Sequence, residues 1–338
     1  MAVTLRDVAQ HAGVSRSAVS RTYTPGASVS AKTREKVRKA ASELGYSPNV
    51  LASSLTTGRT KLIGLVSDNF QNPAFLEVFD LFTKGLQDRG LRPLLVNLSG
   101  ETDPENSLRM LQQYSVDAVI VASSTLPVSF AQSFSDAGVK VVHSFGRHAP
   151  NPSVHVVGID NIAAGRLAAT TLVEHGYTKV GMMAGPKSAT STQDRLKGFH
   201  EALREHSSMD VSISFATAYS FDAGRQEMLR LLQQDQAQAY FCGDDVLSIG
   251  ALSAAQTLGL SVPQDLGLIG VNDMKMARWQ NVNLTTIRNP IDQIVDASIE
   301  LVQTMLDTPD VKPKARLFSC ELIRRGTLLG PKCRATSY

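Results

Sequence analysis

The sequence is short of cysteine and has no long apolar run, and each shortage narrows what the chain does. Its three cysteines among 338 residues, Cys242, Cys320 and Cys333, are far apart and lack the CxxC spacing of metal and redox sites, so buried or idle thiols are expected. No apolar stretch approaches the roughly 18 to 20 residues a membrane span needs, and no membrane association is expected. The opening residues MAVTLRDVAQHAGVS lack the basic segment, apolar stretch and small-residue cleavage site of an export signal, which predicts a cytoplasmic protein. Also missing are GxGxxG after a strand, GxxxxGK followed by Ser or Thr, GxSxG and HExxH, the signatures of nucleotide cofactors, serine hydrolysis and zinc proteolysis. His200 and His206 in HEALREH are six apart, which on a helix turns them to different faces, so they do not share a metal. Asp244 and Asp245 are adjacent after an apolar run, where side chains diverge, and capping is expected of them rather than magnesium binding. No catalytic residue, metal or cofactor is expected, and the chain does not read as an enzyme.

What is present is a segregated charge. Residues 1–60 carry nine Lys or Arg against three acids, a balance of +6, while the rest of the chain carries 25 against 28, a balance of −3. A basic head on a slightly acidic body points to a polyanion partner for the head, because phosphate contacts dominate nucleic-acid affinity.

In the head, Thr4 precedes LRDVAQHA with Asp7 three residues on, which predicts a helix from Leu5 capped by Thr4, with Asp7 complementing its dipole. Gly13 suits a tight turn, and Ser15 caps a second helix, RSAVSRTY. Val8, Ala9, Ala18, Val19 and Thr22 fall at inward spacings, leaving Arg16, Ser17, Ser20 and Arg21 outside. Arg forks onto guanine edges, while hydroxyls and helix-start amides hold phosphates, so the second helix is assigned to the major groove. Ser30 caps AKTREKVRKAASEL, whose Val37, Ala40, Ala41 and Leu44 complete a three-helix core before Gly45. Residues 47–60, SPNVLASSLTTGRT, read as a linker with helical potential, too short to hold a helix in water until a partner chain and DNA order it. Leu51 and Leu55 share one face of it, and Leu55 fits an apolar wedge for a minor groove.

The segments VTLRDVAQHAGVSRSAVSRTY, VSAKTREKVRKAASELGYSPN and LASSLTTGRTKLIGLV resemble the bacterial lactose-repressor and galactose-repressor (LacI/GalR) family. The resemblance spans head and linker almost without gaps and continues more loosely beyond. It implies a helix-turn-helix head over 1–46 whose Arg16, Ser17 and Arg21 read an operator half-site, with Thr4, Ser15 and Ser20 beside them. It further implies a hinge helix within 47–60, where Asn49, Ala52 and Leu55 meet DNA and Leu55 opens a central base step.

From residue 61 to 338, apolar runs (LIGLV, RPLLVNL, DAVIVA, KVVHSF, HVVGI, KVGMMAG, AYFCG, LGLIGV) alternate with amphipathic stretches such as FLEVFDLFTKGLQDRG, the pattern of parallel sheets with crossover helices. Roughly ten strands exceed one ordinary doubly wound sheet, which predicts an α/β body of two lobes. The resemblance implies a periplasmic-binding-protein-like body, crossing between lobes near Asn161, Asn289 and Cys320. Lobe 1 would hold about 61–161 and 290–319, and lobe 2 about 162–289 and 320–338.

Ligands of open α/β sheets lie beyond the carboxyl ends of strands. Asp68, Arg147, Asp160, Arg195, Phe221, Asp244 and Asn272 all follow apolar runs and are expected to converge on one cleft. Carboxylates and amides share hydroxyl hydrogens, Arg forks onto vicinal oxygens, and Phe75 or Phe221 can cover an apolar sugar face, so a polyhydroxylated small-molecule effector fits. By resemblance, Arg195 in STQDRLKGF is the family's effector-binding arginine and Phe221 in AYSFDAG an aromatic cleft residue. Asp244 stands where relatives often carry Asn or Ser, and Asn272 where many carry Asp. Arg147 with Arg195 favours a sugar acid; Asp68 with Asp244 favours a neutral sugar.

These features predict a transcriptional regulator, most simply a repressor, that binds a palindromic double-stranded DNA operator as a homodimer under control of a sugar or sugar acid. A dimer is expected over a tetramer because ELIRRGTLLGPKCRATSY shows no leucine heptad. The alternatives are a solute receptor, which needs export and no head; an α/β enzyme with a basic appendage; and, among regulators, a purine-sensing corepressor.

Overall fold

Three short helices whose inward positions hold small or branched side chains make the head: α1 (Leu5–Ala12), α2 (Arg16–Tyr23) and α3 (Ala31–Leu44). The structure, a computed structural model, describes residues 3–24, 26–47, 58–98, 104–206, 208–234, 236–308 and 311–330. Asn49, Ala52 and Leu55, expected in the hinge, and Cys333 lie outside the described residues. The chain divides into two units, Met1–Lys61 and Leu62–Tyr338.

In the first unit Val8, Val19 and Val37 are wholly buried and meet Ala9, Ala40 and Ala41. So small a core leans on its helix ends. Thr4 N donates to Asp7 Oδ2 at 2.8 Å and Asp7 N to Thr4 Oγ1 at 3.4 Å, a reciprocal cap. Ser15 Oγ accepts from Ala18 N at 3.2 Å and Ser30 Oγ from Thr33 N at 3.1 Å. Gly13, at φ 64°, takes the left-handed turn that joins α1 to α2.

The second unit holds two six-stranded sheets. The first contains β1 (Leu62–Ser67), β2 (Arg92–Asn97), β3 (Ala118–Ala122), β4 (Val141–Ser144), β5 (His155–Ile159) and a late strand, β11 (Ala315–Phe318), in the order β11-β5-β4-β3-β1-β2. The second contains β6 (Lys179–Ala184), β7 (Asp210–Phe215), β8 (Ala239–Cys242), β9 (Gly267–Asn272), β10 (Thr286–Arg288) and β12 (Glu321–Ile323), in the order β12-β10-β9-β8-β6-β7. The paired strands run parallel except β12, which runs antiparallel to β10. Strands such as β3, AVIVA, are apolar at every position because helices cover both faces. Among the described residues, no helix is long and apolar enough to cross a membrane.

The crossovers of the first lobe include α4 (Ala74–Asp88), α5 (Pro104–Gln113) and α6 (Val128–Asp136). Those of the second are α7 (Asn161–Glu174), α8 (Thr190–Arg204), α9 (Phe221–Gln234) and α10 (Asp245–Thr257). The long α11 (Ile291–Asp307) returns to the first lobe, packing on α4 and under β3, β4 and β5. The chain thus passes between lobes after β5, after β10 and between β11 and β12. In the second lobe α7 and α8 cross at backbone contact: a Cβ on Gly165 would stand 2.0 Å from Arg195 O, and one on Gly198 1.9 Å from Ile162 O. Only glycine permits that approach, and it fixes where α8 carries Arg195.

Apolar runs mark eight of the twelve strands among the described residues. The four they miss are β7, β10, β11 and β12. Three of these lie at sheet edges with half-exposed side chains, and β10 spans only three residues.

Candidate functional sites: an exposed helix face and a buried cleft

On the head, Arg16, Ser17, Ser20 and Arg21 are all exposed along one side of α2, while Val19 and Thr22 face the core. Positions i, i+1, i+4 and i+5 form a continuous face. Two guanidinium groups and two hydroxyls project there from a helix whose other side is pinned. Thr4 and Ser15 use their oxygens as caps at the starts of α1 and α2, and Ser15 Oγ lies 2.9 Å from Ser17 Oγ. The Thr4 hydroxyl donates its own proton to Asp7 Oδ2 at 2.7 Å, whereas the Ser15 and Ser17 pair shares one hydrogen bond and keeps a second hydroxyl proton for a phosphate.

Between the two lobes of the body, Phe75, Arg195, Asp244 and Asn272 meet around a cavity of about 20 Å³, room for roughly one water. Arg195 is 4% exposed; its Nε donates to Asn161 Oδ1 at 2.8 Å and its Nη1 to Gly243 O at 2.6 Å. Asp244 caps α10 through Val246 N at 2.8 Å, and its Oδ2 accepts from Asn272 Nδ2 at 2.9 Å and, across the lobes, from Asn72 Nδ2 at 3.0 Å. Burial pushes the Asp244 carboxyl above the usual carboxylate range, against the opposing pull of the Val246 amide and the Arg195 charge. Phe75 forms the apolar wall with Phe145, ring centroids 6.1 Å apart and planes at 62°, an edge-on contact.

The floor is made where the chain changes lobes. Asn289, which lines the cleft, donates weakly to Asn272 Oδ1 at 3.4 Å, and its own Oδ1 is buried without a partner among the described residues. Asn272 and Asp273 both hold positive φ, 118° and 55°, at the end of β9. Backbone in this region collects at functional sites because surrounding contacts must impose it. Here they do. Asp273 is buried against Arg278, at 3.0 Å, Arg288, at 2.8 Å, and Arg325. Burial alone would raise its pKa, but hydrogen bonds from Arg325 and Arg288 and the Arg278 charge hold it below the ordinary value. A chamber of about 600 Å³ opens beside this cluster and shares Asn272, Asn289 and Ile291 with the cleft.

The other expected cleft residues are held elsewhere. Asp68 accepts from Ser123 Oγ at 2.7 Å and from Thr125 Oγ1, both in its own lobe. Asp160 caps α7 through Ile162 N at 2.9 Å and Ala163 N at 3.0 Å. Arg147 reaches across to α8, where Asp194 takes its guanidinium. Phe221 starts α9 with 40% exposure and does not line the cleft, because β7 before it lies at the sheet edge. Conversely, Asn72, Phe145, Asn161 and Asn289 belong to the site although none was selected: Phe145 directly follows β4 but was read as part of its apolar run, and Asn289 follows β10, a strand no apolar run marks. The one available signal is that Asn161 and Asn289 stand where the chain crosses between lobes. Asp245, adjacent to Asp244, turns away and accepts from Thr286 Oγ1 at 2.6 Å and Met274 N at 2.9 Å.

Comparison with known proteins agrees in both units. Residues 4–49 match the family described as bacterial regulatory proteins, lacI family, and residues 169–328 match the periplasmic binding protein-like domain. The HTH-type transcriptional regulator DegA of Bacillus subtilis is 32% identical over 301 residues, which cover 87% of this chain and 88% of DegA. The HTH-type transcriptional repressor PurR of Klebsiella pneumoniae is 32% identical over 305 residues, 88% of this chain and 89% of PurR. The crystal structure of the lac repressor dimer bound to operator and the anti-inducer ONPF matches with a TM-score of 0.87 at 25% identity, covering 98% of this chain and all of that one. These relatives regulate transcription and are not enzymes. With a pinned Arg and Ser face on a helix-turn-helix head, a two-lobed body and such similarity over most of both chains, this protein belongs to the LacI family of bacterial DNA-binding transcriptional regulators.

Proposed function

We propose that this chain is a repressor that binds a palindromic operator as a homodimer, and that a sugar-like metabolite in the body cleft controls its grip. The exposed face of α2 carries the reading: Arg16, Ser17, Ser20 and Arg21 are presented together by a helix that is capped and packed on its far side. One such head offers too little surface for strong specificity, whereas two related by a twofold axis read a palindrome. The lac repressor match is to a dimer on its operator, which supports the same assembly here.

For the effector, the cleft with its lobes parted, continuous with the chamber of about 600 Å³, offers Arg195, Asp244, Asn272 and an Asn289 Oδ1 unpartnered among the described residues, beside an aromatic wall. Donors and acceptors of both kinds around an apolar surface suit a polyhydroxylated ring. Arg195 already faces the Asp244 carboxylate and the Arg147 fork is taken by Asp194, so positive charge in the site is paired, which favours a neutral sugar over a sugar acid. A ligand that prefers one lobe arrangement shifts DNA affinity by its differential affinity for the two arrangements.

Selection of duplexes from a random pool by the full chain tests the DNA half. A palindrome should be enriched, its binding should weaken as salt rises, and Arg21→Ala should lower affinity by about tenfold or more per half-site. No enriched palindrome, or equal affinity in the variant, refutes it. A thermal-shift panel of neutral sugars and sugar acids tests the other half. Stabilisation by acids alone would reject the neutral ligand.

A further inference from the structure

We propose that Arg147, Asp194 and the Ser124 carbonyl form a latch that closes the cleft rim through the protein's own groups, so that Arg147 sets lobe closure and is not an effector contact. The inference is independent of what the effector is.

Arg147 follows β4 in the first lobe, and every partner of its guanidinium lies at the start of α8 in the second. Its Nε donates to Asp194 Oδ2 at 2.8 Å, and its Nη2 lies 2.8 Å from Asp194 Oδ1. The same Nη2 donates to Thr190 O and Gln193 Oε1, each at 3.0 Å. The Nε and Nη2 edge of the fork is taken up by these acceptors on α8, so that bidentate edge is not offered to a ligand.

A second observation comes from the helix itself. The N-cap position of α8 is Ala189, which offers no side-chain acceptor for the first-turn amides. The acceptor comes from the other lobe instead: Ser191 N donates to Ser124 O at 3.2 Å and Thr190 Oγ1 to the same oxygen at 3.1 Å. Opening the rim therefore uncaps α8 and breaks a bidentate ion pair in one motion. Arg195 is the next residue after Asp194, so the latch and the cleft arginine ride on one helical turn. The Asn72 to Asp244 bond spans the middle of the cleft, and Lys275 N to Glu77 Oε1, at 2.9 Å, spans its far side.

Hydrogen exchange on the full-length protein in buffer with no added metabolite tests the latch. Amides at 189–196, Ser191 above all, should exchange slowly in the wild type and about tenfold faster or more in Arg147→Ala and in Asp194→Ala, with β3 and β6 unchanged. The double variant should be no faster than Arg147→Ala alone, because that change already removes the pair with Asp194. Arg147→Lys, which keeps the charge but not the fork, should fall between. Should the variants fold poorly, wild-type protein at 0.05 and 1 M salt gives the same test, since a part-exposed ion pair is screened: exchange should rise in 189–196 and not in the strands. Unchanged exchange in the single variants, additive effects in the double, or indifference to salt overturns the latch.

Discussion

Asp273 offers the sharpest test of how the body holds its cleft in shape. Its carboxylate is buried to 1% side-chain exposure and shared by Arg278, Arg288 and Arg325, whose side chains are 59%, 39% and 12% exposed. The informative change is Asp273→Asn. Asn tolerates the positive φ of 55° as Asp does, so the variant removes charge without adding backbone strain. Its cost is set by Arg325, the buried partner, which keeps the Leu284 carbonyl at 2.7 Å but loses its counter-charge. Breaking a buried pair by removing one partner costs roughly 3–5 kcal/mol, and with that carbonyl retained the lower end, about 3 kcal/mol, is expected. Arg278→Ala removes a mostly exposed side chain and leaves Asp273 its two other arginines, so it should cost less than about 1 kcal/mol. Urea unfolding of the body should show the two variants well separated, and a melting point lowered by about 6 °C for Asp273→Asn against 2 °C or less for Arg278→Ala. The acid side gives a second reading. Because the folded carboxyl titrates below its unfolded value, its contribution is complete above about pH 4 and is lost as pH falls through the folded pKa. The gap between wild type and Asp273→Asn should thus stay constant from neutral pH to about 5 and close below about 4. A cost no larger than that of Arg278→Ala, or a gap that widens in acid, would refute the ion-pair account.

Three further outcomes follow from other parts of the molecule. Gly198→Ala places a Cβ 1.9 Å from Ile162 O, backbone against backbone, so α7 and α8 must separate; a loss of about 3 kcal/mol is expected on thermal unfolding, and a neutral effect would mean the crossing is loose. Thr4→Ala removes both hydroxyl contacts of the α1 cap and should lower the stability of the head by about 1 kcal/mol, read by hydrogen exchange within α1. Burial pushes the Cys242 thiol up to about 12, so the native protein at pH 8 should resist iodoacetamide at Cys242 while urea-unfolded protein is labelled; rapid native labelling, seen by peptide mass spectrometry, would contradict that burial.

The fold was legible wherever burial imposed a pattern. The sequences of β1, β3, β5, β6 and β8 read as continuous apolar runs because helices cover both faces of the sheet, and the caps Thr4, Ser15 and Ser30 were visible because a helix start needs a specific acceptor. β7, DVSISF, hid its strand behind polar alternation, since an edge strand half-faces solvent. β11 and β12 hid theirs because each joins a sheet begun more than a hundred residues earlier, a pairing no local window contains.

The cleft divides along the same physical line. A ligand site of an open sheet lies beyond the carboxyl ends of strands, but that position alone does not bring a side chain to it. Asp244, just after β8, and Asn272, at the end of β9, both arrive; Phe221, after the edge strand β7, does not, and neither do Asp68, Arg147 and Asp160, although β1, β4 and β5 are interior strands. Position at a strand end was therefore readable, but the partner each side chain takes decided the outcome: Ser123 for Asp68, Asp194 for Arg147 and the first amides of α7 for Asp160. Asn72, Asn161 and Asn289 escaped for a different reason. An asparagine in a loop or at a helix start is ordinarily a turn or capping residue, and only the folded contacts give these amides their roles: Asn72 bridges to Asp244 across the lobes, while Asn161 and Asn289 hold Arg195 and Asn272 within the second. Asp244 joins both tasks in one carboxylate: its Oδ1 caps α10 through Val246 N while its Oδ2 accepts from Asn272 and Asn72 in the cleft, so any change at this position alters the helix start and the cleft together.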